Sequence, residues 1–122
     1  MIRLATALAL LAAPVMAIPA IAAAQTPPPQ LNLDQRMLLR CSAAFAMISF
    51  GQENGNAEAM QYPTMEKRGR EFFVRASARV MDEAGLDRSQ IEAALSAEAQ
   101  DLVDTNTLEE VMPACLTLLP AE

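Results

Sequence analysis

From residue 31 onward apolar positions recur every three or four residues, and no stretch alternates apolar with polar residues as a half-buried strand does. This spacing predicts four helices. The first spans 33–50, with Asn32 as its cap, Gln35 completing a capping box, and Gly51 following its end. Leu38, Cys41, Phe45 and Ile48 fall on one side of it, while Leu39, Ala43, Ala46, Met47 and Phe50 fall on the other. A helix apolar nearly all round is either central to a fold or shared with a partner. The expectation is a shared helix, with Leu39, Ala43, Met47 and Phe50 as the partner face.

A second helix is predicted over 64–84, its stripe formed by Met65, Gly69, Phe72, Phe73, Ala76 and Val80. Gly69 weakens that helix by about 1 kcal/mol relative to alanine, so a close helix crossing beside Ala76 is expected. Gly85 suits the left-handed position that ends a helix. In the third helix Asp87 and Gln90 make a capping box, and Leu86 and Ile91 a hydrophobic staple. Its core face is Ile91, Leu95, Ala99 and Leu102. The fourth starts near Thr107, with Glu110 as box partner, and places Leu108, Val111, Met112, Cys115, Leu118 and Leu119 together. Pro113 removes a backbone donor inside it, which predicts a kink or break. The connector 51–63 reads as a mobile link; the alternative is an ordered, functional loop with Tyr62 as its anchor.

What precedes the helices is of another kind. Arg3 is followed by an uncharged apolar run over 4–24 that closes on Ala22-Ala23-Ala24. A basic start, an apolar centre and small residues before the cut make a secretory signal peptide over 1–24. Cleavage after Ala17 is a second option. The run is long enough for a membrane anchor, but Pro14, Pro19 and its alanine-rich second half speak against one. Residues 25–31 form a proline-rich spacer, and 32–120 the helical domain.

Export changes how the cysteines are read. Cys41 and Cys115 are the two cysteines of the 122-residue chain, on the inner faces of the first and last helices. In an oxidising compartment such a pair is a disulfide. The fold class expected is therefore all-α: a small four-helix bundle with one disulfide, behind a signal peptide.

Composition narrows the chemistry. The chain has no histidine, nine basic and fifteen acidic side chains. Imidazole bases and His-ligated metals are excluded, and the acidic balance argues against nucleic acid. Loss of Arg3 with the signal would leave eight basic side chains against fifteen acids, a net charge of −7. The charge is uneven: residues 25–81 carry seven basic and five acidic groups, residues 82–122 one and ten. Glu66–Arg70 and Glu71–Arg75 are spaced as helical ion pairs. Glu98 falls near the centre of an apolar helical face; buried there, it would need Arg68, Arg75 or Arg79 as partner, or else a raised pKa. Met60 and Met65 are two soft sulfurs without a third, and packing accounts for them. No catalytic set, cofactor motif or metal-ligand spacing emerges, so no enzyme is expected.

The L-L-R-C-S-A-A-F stretch at 38–45, the R-G-R-E-F-F block at 68–73 and Cys115 in the last helix give the chain a likeness. It resembles small exported two-cysteine helical proteins of Gram-negative bacteria. That resemblance implies a periplasmic address and a disulfide, and carries no activity. In being short, helical and singly cross-linked the chain is also similar to acid-stress periplasmic chaperones. The function expected is that of a periplasmic or secreted binding or accessory module, meeting a protein partner or a second copy. The alternatives are a carrier of a small apolar ligand, seated between helices at Gly69, Ala76 and Ala99, or a chaperone-like protein. Neither a cofactor nor, after signal cleavage, a stable membrane anchor is expected.

Overall fold

The computed structural model describes residues 29–121. The expected signal peptide at 1–24, and the spacer up to residue 28, lie outside the described residues. Those described form four α-helices and one short 3-10 turn, with no strand among them. The helices are α1 (Leu33–Glu53), α2 (Arg68–Ala84), α3 (Arg88–Asp104) and α4 (Leu108–Leu116), and the 3-10 turn is Ala59–Gln61.

Helix α1 begins where local chemistry places it. Asn32 accepts from the Gln35 backbone N–H at 2.9 Å, and the Gln35 side chain accepts from the Asn32 N–H at 3.0 Å. This reciprocal pair satisfies two of the donors a helix start leaves open. The helix then passes through Gly51, where a stop was expected, and ends at Glu53 before Gly55 at φ +70°. Gly51 serves packing instead. A Cβ there would lie 2.7 Å from the Ala59 Cβ, so its absence lets the 3-10 turn close onto α1.

The connector is tied down rather than loose. The Gln52 amide donates to the carbonyls of Ala59, Tyr62 and Pro63 at 3.0–3.2 Å, and its oxygen accepts from Met65 N–H at 3.0 Å. One side chain thereby holds both ends of the segment, and Tyr62 packs against the core. Because the tied connector extends to Lys67, α2 starts at Arg68 and not at residue 64. Gly69 lies at the expected close crossing, on the α2 face that also buries Ala76: a Cβ there would come within 3.0 Å of the Met65 Cβ and 3.5 Å of the Phe45 Cβ on α1. Gly85 ends α2 in the left-handed region at φ 66°.

Helix α3 carries the expected box: Asp87 accepts from Gln90 N–H, and the Gln90 side chain from Asp87 N–H, both at 2.9 Å. The Gln90 backbone bond, with the Ser89 hydroxyl, holds the Asp87 carboxyl below its ordinary pKa. Helix α4 does not break at Pro113; it is continuous over Leu108–Leu116. The carbonyl that loses its partner belongs to Glu109, four residues back and exposed. Thr107 makes no side-chain cap, and its hydroxyl accepts from Arg40 at 3.1 Å.

The core explains the two-sided character of α1, which is central. Cys41, Ala44, Phe45 and Ile48 pack with Met65, Phe72, Ala76, Leu102, Met112 and Cys115. On its other side Leu39 packs with Val80, Leu86 and Ile91, where α2 turns into α3. Cys41 and Cys115 are joined by a disulfide, Cα atoms 5.2 Å apart across 74 residues of sequence. The clamp ties the central helix to the last, shortest one. Among the described residues no helix is long and apolar enough to cross a membrane.

Candidate functional site

Helices α2 and α3 are joined by a tight turn at Gly85–Leu86 and meet over Leu39. Away from that turn they leave the second half of α1 open. The result is a groove of about 820 Å³, open to solvent, on which Ala43, Ala46, Met47 and Phe50 form the α1 surface. Phe73 of α2 borders it, as do Leu95, Ser96 and Ala99 of α3. Ala59, Tyr62 and Leu108 close the end nearest the 3-10 turn. Phe50 is 68% exposed, a large aromatic side chain left in water beside the groove. Ala46, Phe50 and Phe73 also line a smaller cleft towards Gly69 and Arg70, so the apolar surface continues across α1.

The partner face read from the sequence is thus partly corrected. Leu39 is fully buried under Val80, Leu86 and Ile91, and Ala43 is buried as well. The chain's own α2–α3 turn covers Leu39, and Ala43 packs in the main core, because a central helix buries both sides. Met47 and Phe50 lie where the cover ends: Met47 half-buried, Phe50 exposed. The groove walls escaped sequence reading, although a signal was available. Leu95 and Ala99 belong to the apolar stripe of α3, yet both stay only half-buried, since α3 diverges from α2 at that level. Of the small residues expected to leave a ligand cavity, Gly69 and Ala76 are packed in the core and only Ala99 reaches the groove.

Charges are arranged asymmetrically around this surface. Among the described residues, the charged groups lining the groove are Glu58 and Glu109, with no lysine or arginine beside them. Glu98 lies outside it. Its side chain is 12% exposed and meets Arg40 at 3.1 Å and Arg36 at 3.6 Å, both on α1 and not the α2 arginines expected. Which arginine it meets depends on how α3 crosses α1, something periodicity does not encode. Arg40 also bonds Asp101 at 2.6 Å, and that bond, with Glu98, holds the guanidinium more firmly protonated than usual against the opposing effect of burial. The cluster fastens α1 to α3 and to the α4 entry at Thr107, so it reads as structural. On α2 the expected Glu71–Arg75 pair forms at 2.7 Å, and Arg79 pairs with Glu83 at the same distance. Met65 is buried in the core and Met60 is exposed. Among the described residues there is no His/Cys/Asp/Glu group suited to a metal ion.

The groove depends on the closeness of the 3-10 turn, which gives a test. Gly51→Ala gains about 1 kcal/mol of helix propensity, but its methyl would overlap Ala59, and overpacking of that kind costs about 1–3 kcal/mol. We expect net destabilisation in urea titrations. Gly69→Ala, whose methyl would come to 3.0 Å from the Met65 Cβ against 2.7 Å for the clash at Gly51, should be milder. Equal midpoints for the two variants would contradict the packing described. Compared with known proteins, the chain finds no counterpart: no family model, curated protein or solved structure matches it.

Proposed function

We propose that this protein is an exported binding module that works by contact, through the apolar groove over the second half of α1. The observation that carries the reading is Phe50. A phenylalanine two-thirds exposed, beside Met47, Leu95 and Leu108 in one open groove, adds nothing to the packing of its own domain. Exposed apolar patches with polar rims are where proteins meet partners. The export part rests on the N-terminal pattern, and the Cys41–Cys115 bond fits an oxidising compartment such as the periplasm or the cell exterior. Small-molecule sites bury most of their ligand in a closed cleft; this groove is open along its length, which favours a macromolecular contact over a carrier of a small apolar ligand.

Site-specific photo-cross-linking tests the reading. A photoreactive phenylalanine analogue at position 50, in cells exporting the full chain, should give discrete adducts. The same analogue at exposed Gln100 should not. Adducts at both positions or at neither would overturn the assignment of the groove as the contact surface.

A further inference from the structure

We infer that the occupant of the groove is an amphipathic helical segment of another protein, apolar on one face and basic along its edges. The inference rests on the binding reading above and specifies the partner's chemistry. Shape comes first. The accessible α1 surface of the groove runs from Ala46 to the helix end at Glu53, about 10 Å of helix axis, with Phe73 of α2 on one side and Leu95 and Ala99 of α3 on the other. A gap of that length between two flanking helices suits about two turns of another helix, laid in as an amphipathic helix docks into a groove. Its anchors would be large apolar side chains at three- and four-residue spacing, set against Met47, Phe50, Leu95 and Ala99.

Charge selects among the possible occupants. The groove carries Glu58 and Glu109 and no cation, while the neighbouring cleft adds Glu53 and Glu66 against Arg70. A second copy of this chain, laid groove to groove, would set acids against acids. Like charges brought together at an interface disfavour that pairing. An anionic lipid surface meets the same objection. A helix with lysines or arginines flanking its apolar stripe gains at Glu58 and Glu109, and burying Phe50 and Met47 supplies the affinity. The amino-acid chemistry of the walls thus fixes both halves of the ligand: aliphatic or aromatic at the centre, basic at the margin.

The test titrates the oxidised full-length helical domain with three synthetic helical peptides of identical apolar stripe. Their polar faces are lysine, glutamine or glutamate, and binding is read by calorimetry at low and at raised salt. The lysine peptide should bind at least about tenfold more tightly than the glutamate peptide, with the difference shrinking as salt rises. Glu58→Gln with Glu109→Gln should remove most of that preference, while Phe50→Ser should weaken every peptide more than tenfold. Unchanged unfolding midpoints would show that both variants fold. Equal binding of the three peptides, still lost in Phe50→Ser, would overturn the charge inference and leave the groove as a binding site. Binding unaffected by Phe50→Ser, no binding at all, or a stable dimer seen by light scattering would overturn the inference outright. The cross-linking experiment reads the broader proposal separately.

Discussion

Replacing Cys41 and Cys115 together by alanine should lower the unfolding free energy by about 4–5 kcal/mol. The two cysteines lie 74 residues apart and join the central helix to the terminal one. Without the bond, the unfolded chain recovers the freedom of that whole loop, an entropic gain that grows with the logarithm of loop length. For a domain of this size the expected loss is comparable with the entire net stability, about 5–15 kcal/mol for folded domains in general. Urea unfolding followed by circular dichroism measures it: the midpoint should fall steeply, and the slope should rise because the reduced chain unfolds to a more open ensemble. A loss under about 1 kcal/mol would mean that α4 is held on α1 by packing alone, contrary to the role given to the clamp.

The second large effect concerns two phenylalanines of α1, five residues apart. Phe45 is fully buried, its ring edge-on to Phe72 with centroids 5.2 Å apart, and it meets Gly69 where α2 crosses α1. Phe45→Ala should cost about 3–5 kcal/mol, since neighbours on two helices collapse only partly into the space left. Phe50→Ala, at a position two-thirds exposed, should change stability by no more than about 0.5 kcal/mol. The same chemical change on the same helix therefore separates core from contact surface. A large loss for Phe50→Ala would place that ring in the fold's own packing and remove the main support for a binding role.

Several parts of the architecture were legible before any coordinates because they are local. The Asn32–Gln35 and Asp87–Gln90 boxes depend on spacing of three residues, and the left-handed Gly85 on a single position. The pairing of Cys41 with Cys115 followed from two helical faces and an even count. What escaped was set by approach between distant segments. Gly51 looked like a stop because glycine commonly ends helices; its use, contact with Ala59, appears only once the connector folds back. Gln52, which ties that connector, carries no motif. The groove was half visible: the second apolar face of α1 was evident, but its division at Ala43 into a covered part and an open part depends on where α2 and α3 diverge.

Export and oxidation meet in one measurement. The full 122-residue chain, produced in a Gram-negative host, would be recovered from the periplasmic fraction, alkylated without reductant and weighed intact by mass spectrometry. The account predicts a chain beginning at Gln25 that carries no alkyl group and takes up two after reduction. A full-length chain retained inside the cell, with both sulfurs alkylated from the start, would contradict it.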